Sequence, residues 1–127
     1  MRRMVLVGPR TAWVTDVPET HRERMRGLLG REGLPRGRAM LLERTRSVHT
    51  IGMRFAIAVA FLDRELNVLA VKTVPPRRVL LPRLRARHTF ECRADAEIRA
   101  GDRLRRKEPA ERKDRRTAYE NSARAIT

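Results

Sequence analysis

Val48-His49-Thr50-Ile51-Gly52-Met53-Arg54-Phe55-Ala56-Ile57-Ala58-Val59-Ala60-Phe61-Leu62-Asp63 is the stretch of sequence that decides the fold. It joins a polar, irregular segment to a long apolar run. Within that run, Phe55, Ile57, Val59 and Phe61 alternate with Ala56, Ala58, Ala60 and Leu62. Because successive side chains of a strand point to opposite faces, the pattern predicts one strand with large residues on one face and mostly small residues on the other. The small residues indicate that a second layer packs closely against that face.

Shorter strand candidates surround this run and are separated by turn residues. They cover residues 4–7, 12–17, 39–43, 68–74 and 88–94, with a last short strand after 100–102. Gly8-Pro9 marks a turn, and residues 63–67 are typical of a hairpin loop. Many short strands with a single helix indicate a mainly β (α+β) fold. We predict a compact β-sandwich or irregular barrel of short antiparallel strands with one short helix.

The one predicted helix begins near Thr20. Thr20 followed three residues later by Glu23 is a capping box, which satisfies two backbone amides that the first helical turn leaves without partners. Met25, Leu28 and Leu29 fall on one face of a helix of two to three turns. Either Gly27 or Gly30 is able to end this helix.

Length and composition predict one globular domain over residues 1–106 and a charged C-terminal tail over residues 107–127, as a frayed helix or disordered segment. A single cysteine, Cys92, excludes an intramolecular disulfide. No apolar run approaches the ~20 residues of a membrane span. These features predict a soluble cytoplasmic protein.

The chain is strongly basic, with 30 basic and 15 acidic residues and a formal net charge of +15. All but three of the basic residues are arginine, which is explained either by codon usage in a GC-rich genome or by a polyanion partner, because the guanidinium group matches phosphate geometry. Codon usage does not explain the excess over acidic residues. The densest basic cluster contains no acid and consists of Arg77, Arg78, Arg83, Arg85 and Arg87. It predicts a polyanion-binding surface, or alternatively a solvated charged face.

The order of motifs resembles the family catalogued as domain of unknown function 192. The matching motifs are residues 20–31, the His-Thr-x-Gly-Met-Arg sequence at 49–54, Phe61-Leu62-Asp63, Phe90-Glu91 and residues 100–104. The resemblance covers roughly residues 10–106 and is to the branch that carries His-Thr-x-Gly-Met-Arg. It implies a compact, mainly β domain and supplies no established reaction, substrate or cofactor.

This chain departs from the family pattern at two places. The resemblance implies an aspartate on the central strand, where this chain has Ala58. After Phe90-Glu91 the family pattern continues with Leu-Pro-Ala-Gly, and here the sequence is Cys92-Arg93-Ala94-Asp95. A function that requires the strand carboxylate would therefore be absent from this chain.

The best candidate site is formed by His49, Thr50, Met53 and Arg54. An imidazole, a hydroxyl and a guanidinium group beside a buried strand are able to bind a carboxylate or phosphate group. The alternative is structural: His49 and Thr50 bond an irregular backbone while Met53 fills the core. Both interpretations stay open at the level of sequence.

Other combinations of reactive side chains carry less weight. The three histidines, His21, His49 and His88, have no metal-ligand spacing, and we predict neither a metal site nor a cofactor. Cys92 with His49 or His88 is a formal thiol and base pair, but a mid-strand cysteine is usually a buried apolar residue. Asp63 and Glu91 are candidate acid/base carboxylates. Their alternative roles are a turn hydrogen bond and an ion pair with an arginine.

Three functions follow, in order of preference. The first is a non-enzymatic module that binds an anionic ligand or a protein partner through residues 49–54 and neighbouring arginines. The second is a non-specific nucleic-acid-binding accessory protein that uses residues 77–87 and the tail. With five aromatic residues in the chain, sequence-specific recognition by base stacking is not expected. The third is a hydrolase with reactive residues around His49 and Glu91.

Overall fold

The computed structural model describes residues 1–107, which form nine strands and one short helix. The elements in chain order are β1 (Arg2–Val7), β2 (Ala12–Val17), α1 (His21–Arg26), β3 (Arg38–Leu42), β4 (Val48–His49), β5 (Ile57–Leu62), β6 (Val68–Val74), β7 (Val79–Leu80), β8 (His88–Arg93) and β9 (Arg105–Lys107). Apart from Lys107, which ends β9, the predicted tail lies outside the described residues.

Seven strands form one sheet in the order β6-β5-β8-β3-β2-β1-β9, and β4 pairs with β7 in a separate ribbon. The mainly β fold with one short helix is confirmed. Neighbouring strands are antiparallel except β2 and β3, which are parallel because the chain between them crosses over through α1. The sheet is not a closed barrel, since β6 and β9 form its two edges within the described residues.

The inner core lies on one face of the sheet, which curves until its ends approach each other. The N–H of Val68 donates to the carbonyl of Asp102 at 2.7 Å, and the N–H of Leu104 donates to the carbonyl of Leu66 at 3.0 Å. Trp13 and Phe90 meet edge to face inside the curve, with ring centroids 5.2 Å apart. The residues buried there include Leu6, Leu41, Ala58, Ala60, Leu62, Cys92 and Leu104.

The outer face of the sheet is covered by loops, which form a second layer. Met40, Ile57, Val59 and Phe61 point into this layer from the strands, and Leu28, Leu34, Val48, Met53 and Ala86 meet them from the loops. All six residues of β5 are therefore buried. This confirms the predicted strand with apolar residues on both faces and a second layer packed against it.

The helix is shorter than its sequence pattern suggested. The capping box is present: the N–H of Glu23 donates to Thr20 Oγ1, and Glu23 Oε1 accepts from the N–H of Thr20, both at 3.1 Å. Gly27 ends the helix with a positive φ of 49°, which favours glycine. Leu28 is buried beyond this turn, whereas Met25 is 58% exposed. The expected apolar helical face is thus wrong, because the chain reverses before it is completed.

Asp16 on β2 is a buried carboxylate held by three arginines. Its oxygens lie 2.9 Å from Arg3 Nε, 3.3 Å from Arg38 Nη2 and 3.6 Å from Arg31 Nη2. Burial alone would raise the pKa of Asp16, but the Arg3 hydrogen bond and the three positive charges outweigh it and hold the pKa below its ordinary value. The cluster joins β1, β2, β3 and the segment after α1.

Replacing this carboxylate tests the cluster. We expect Asp16→Asn to lower the free energy of unfolding at about pH 7 by roughly 1–3 kcal/mol, as for lost hydrogen bonds to a charged group. Because the pKa is lowered in the folded state, the stabilisation is complete above the ordinary value of 3.8 and is lost as the pH falls through the folded-state value. Urea denaturation should therefore show the difference between variant and wild type shrinking at about pH 3. An equal difference at both pH values would contradict the charge-based explanation.

Candidate functional site

A cavity of about 300 Å³ opens between the helix region and the sheet. Its walls come from α1 and the residues that follow it, from the β3–β4 connection, and from β4. The apolar lining residues are Met25, Leu28, Leu29, Leu42, Val48 and Met53; the polar and charged ones are His21, Arg24, Arg26, Thr45, Ser47, His49 and Glu91. The cavity therefore has apolar walls and a few groups able to form hydrogen bonds or ion pairs.

Glu91 is the acidic side chain of this cavity, and strand register places it there. On β8, Phe90 and Cys92 belong to the inner core, so Glu91 points to the opposite, loop-covered face. Its Cα lies opposite Met40 on β3 and Val59 on β5, at the centre of the sheet. The residue is 3% exposed. A carboxyl group in that position has been removed almost completely from water.

The charge state of Glu91 is set by burial. Burial raises its pKa to about 7, and the distant charge of Arg31 lowers it by a smaller amount. Arg31 is occupied elsewhere, because its Nη2 lies 3.6 Å from Asp16 Oδ2. The expected ion pair between Glu91 and an arginine is not formed within residues 1–107. Glu91 is therefore poised between its neutral and ionised forms near neutral pH.

The structure separates the four residues of the predicted site. His49 and Met53 both line the cavity, with His49 exposed and Met53 buried. Thr50 is fully buried behind them. Arg54 is not part of the lining; its side chain is 67% exposed and lies 3.9 Å from Glu32. Two of the four residues thus share the cavity with Glu91.

Thr50 holds the neighbouring chain in place. Its hydroxyl donates to the carbonyl of Pro75 at 2.7 Å and accepts from the N–H of Arg78 at 2.9 Å. Its backbone N–H donates to the carbonyl of Arg78 at 2.8 Å, and its carbonyl accepts from the N–H of Arg77 at 3.1 Å. These bonds fix the β4–β7 ribbon and thereby the position of His49.

The predicted polyanion-binding residues lie together on residues 75–87, the arginine loop. Arg77, Arg78, Arg83, Arg85 and Arg87 are all exposed. Other arginines of the described chain, such as Arg2 and Arg93, pair with acids, but none of these five forms an ion pair within residues 1–107. The loop is thus a surface of uncompensated positive charge beside the ribbon.

The remaining candidate residues have structural positions. The Cys92 thiol is buried, and burial followed by the charges of Glu91 and Asp95 raises its pKa to about 12, so it is not a thiolate at neutral pH. His88 Nδ1 accepts from the N–H of Arg44 at 3.0 Å. Asp63 Oδ1 accepts from the N–H of Asn67 at 2.8 Å within the β5–β6 turn.

The described part of the chain contains neither a metal-ligand cluster nor a carboxylate pair made of Asp63 and Glu91. Within residues 1–107, no group of three or more His, Cys, Asp or Glu side chains is placed to hold a metal ion. Asp63 and Glu91 do not form a pair. Glu91 lies opposite Val59 on β5, and Asp63 comes four residues after Val59, just past the end of β5, which places the two Cα atoms at least about 13 Å apart. The two carboxyl groups therefore do not act on one substrate atom.

The importance of Glu91 was underestimated from the sequence. One signal was present: in His88-Thr89-Phe90-Glu91-Cys92 the polar residues alternate with apolar ones, which predicts a half-buried strand. In the structure, the face of β8 that carries Glu91 is buried as well, because the loop layer covers it. Only the tertiary structure turns an ordinary alternation into a buried carboxyl group.

Fold and cavity together define a small, mainly β domain with a buried carboxyl group facing a partly open cavity. Residues 6–106 match the model of DUF192, described as "Uncharacterized ACR". The match spans most of the chain, and the chain belongs to this family. No curated protein matches the chain.

Two crystal structures share the fold. One is a protein from Sinorhizobium meliloti 1021 described as a "putative transcription regulator"; it has a TM-score of 0.70 and 17% identity, over 82% of this chain and 92% of that one. The other is a protein of unknown function from Novosphingobium aromaticivorans DSM 12444, with a TM-score of 0.70 and 16% identity, over 81% of this chain and 83% of that one. At such identities the likeness concerns the fold.

Removing the Glu91 charge should stabilise the protein. Because the pKa is raised from 4.5 to about 7 in the folded state, stability falls as the pH rises between these values and the full penalty applies above them. We expect Glu91→Gln to raise the free energy of unfolding by roughly 2–3 kcal/mol at about pH 8 and to change it little at about pH 5. Urea denaturation at both pH values checks this. Destabilisation at about pH 8 would show that the carboxylate has a stabilising partner.

Proposed function

We propose that the protein binds a small organic anion in the cavity above Glu91. The observation that carries this proposal is the carboxyl group of Glu91, a residue that is 3% exposed; the group has no ion-pair partner in the described chain, and the residue lines a cavity of about 300 Å³. Such a group lowers stability when it ionises, so packing alone does not account for it. A ligand that bonds the carboxyl group would supply the missing partner.

Charge supports an anionic ligand. Arg24, Arg26 and His21 line the cavity from the helix side, and His49 lines it from the ribbon. Guanidinium groups bind carboxylate and phosphate groups through paired hydrogen bonds. We expect the anionic end of the ligand at these basic side chains and its uncharged part against the apolar walls, with a hydrogen-bond acceptor facing Glu91.

Proton uptake by Glu91 follows from this arrangement. A protonated carboxyl group donates a hydrogen bond to the ligand, whereas an ionised one repels an anion in a poorly solvated cavity. With a pKa of about 7, the protonated fraction falls about tenfold between pH 6 and pH 8. Anion binding through Glu91 should weaken to the same extent.

The predicted residues divide into two roles in this proposal. His49 and Met53 contact the ligand, which agrees with their place in the lining. Thr50 acts as a positioning residue, because its hydroxyl holds Pro75 and Arg78 behind the ribbon. Arg54, which is paired with Glu32 outside the lining, is expected to contribute little.

A thermal-shift and calorimetric titration with short-chain carboxylates, phenyl phosphate and inorganic phosphate tests the proposal. We expect at least one organic anion to bind about tenfold more tightly at about pH 6 than at about pH 8. Glu91→Gln should bind with nearly the same affinity at both pH values, since the amide does not titrate. Arg24→Ala should weaken binding, and Arg22→Ala is its matched control, being an exposed helix residue outside the lining.

Two results would contradict the proposal. A pH dependence that persists in Glu91→Gln would show that the proton controlling binding is not on Glu91. Equal losses in Arg24→Ala and Arg22→Ala would show a general effect of surface charge rather than binding in the cavity.

Hydrolysis is a second candidate function, and one observation favours it: His49 and Glu91 line the same cavity. A carboxyl group with a pKa of about 7 in the same cavity as an imidazole is suited to general acid/base catalysis. The two groups would then protonate a leaving group and activate water. In a substrate screen, an activity lost in both His49→Ala and Glu91→Gln supports this candidate, and activities unchanged by His49→Ala exclude it.

A further inference from the structure

The arginine loop exposes aliphatic side chains as well as charge. Val79 is 64% exposed, Leu81 82% and Leu84 85%. The other large exposed apolar residues within residues 1–107 are Met1, Val14, Met25 and Ile51, which are spread along the chain. Single exposed apolar residues are normal on a protein surface, but a cluster marks a surface that meets another apolar phase.

The exposed side chains stand on a fixed backbone. Val79 and Leu80 pair with β4, and Arg87 donates its N–H to the carbonyl of Leu62 at 2.7 Å. Between these anchors the buried Ala86 closes a turn by donating to the carbonyl of Arg83 at 3.1 Å. The backbone ends of the segment are therefore ordered before any partner binds, which keeps the entropy lost on docking small.

Positive charge alone would suit any polyanion, and non-specific nucleic-acid binding by this loop stays a prediction made from charge. Non-specific contacts to nucleic-acid phosphates make no use of exposed aliphatic side chains, and the loop has no aromatic residue on which bases stack. An anionic bilayer offers both partners: headgroup phosphates and carboxylates for the guanidinium groups, and the acyl boundary for the leucines.

We propose that the arginine loop docks this protein onto the surface of an anionic membrane, with Leu81 and Leu84 entering the headgroup–acyl boundary and the five arginines bound to lipid headgroups. Docking of this kind is peripheral: no helix in the described part of the chain is long and apolar enough to cross a membrane. The proposal is independent of ligand binding in the cavity.

Co-sedimentation of the full-length chain with lipid vesicles tests this docking. We expect binding to phosphatidylcholine vesicles that contain about one-third phosphatidylserine and little binding to pure phosphatidylcholine. The double variant Leu81→Gln/Leu84→Gln should reduce partitioning at least tenfold, since two largely exposed leucines no longer leave water. Neither substitution touches the core, so the fold is expected to be unaffected.

The charge variant can also be chosen to preserve the fold. Arg77 and Arg85 have φ of 66° and 75°, a region that glycine adopts without steric strain. Arg77→Gly/Arg85→Gly therefore removes two charges at positions whose backbone glycine tolerates, and we expect at least a tenfold loss of partitioning. Arg22→Ala/Arg46→Ala removes two exposed arginines elsewhere and is the matched control. Residues 108–127 are the same in every variant, so a difference in partitioning between variants is due to the substituted residues.

Insertion of the leucines has its own readout. Cys92 is fully buried and its pKa is raised to about 12, so a thiol-reactive dye will label Leu81→Cys selectively. We expect the emission of an environment-sensitive dye at this position to shift to the blue on vesicle binding. The same dye on Arg22→Cys should stay in water.

Three outcomes would overturn the proposal. Vesicle binding that the leucine variant leaves unchanged would reduce the interaction to charge. Tight binding to duplex DNA or RNA that survives physiological salt and depends on Arg77 and Arg85 but not on the leucines would make nucleic acid the partner. Absence of binding to phosphatidylserine vesicles at low salt would exclude the membrane altogether.

Discussion

Burial of strand β5 on both faces is the constraint on which the rest of the structure depends. A curved sheet covers its own inner face, and here that core is filled by residues such as Trp13 and Phe90. Apart from the two-stranded β4–β7 ribbon, the outer face has no second sheet and no long helix in the described chain, so loops must cover most of Val59 and Phe61. Loops carry backbone groups that need hydrogen bonds when buried. This requirement explains why a short ribbon, β4–β7, and the hydroxyl of Thr50 are built into the covering layer.

A covering layer made of loops is uneven, and the difference between Asp16 and Glu91 shows the consequence. Their Cα atoms lie in one row across the sheet, each opposite Met40, about 10 Å apart. Over Asp16 the layer supplies the guanidinium of Arg31, in addition to arginines from the strands, and the pKa is lowered. Over Glu91 it leaves a cavity, and the pKa is raised to about 7. The charge of Arg31 lowers the pKa of both carboxyl groups, but Arg31 forms an ion pair with Asp16 and none with Glu91 within the described residues.

The sequence predicted elements whose signals are local. The alternating run of β5, the following strand β6 and the Thr20–Glu23 capping box all depend on neighbouring residues. The ribbon was missed because each of its strands has two residues and its stability comes from bonds between positions about 30 residues apart, as between Thr50 and Arg78. Met25 was misassigned because the sequence left Gly27 and Gly30 as alternative ends of the helix, and only the structure shows that the helix ends at Gly27. The position of Glu91 depends on strand register, and the position of Arg54 outside the cavity depends on the path of a loop. Neither follows from periodicity.

The ribbon also connects the two surfaces for which functions are proposed, the cavity and the arginine loop. His49 of β4 lies directly opposite Val79 of β7, and residues opposite each other in an antiparallel pair project to the same face. His49 lines the cavity and Val79 begins the exposed apolar part of the arginine loop, whereas Val48 and Leu80 on the other face pack in the outer core. The mouth of the cavity and the arginine loop are thus built on opposite edges of one two-stranded unit that Thr50 holds in place. A partner bound at the loop would therefore contact β7, the strand that pairs with the one carrying His49.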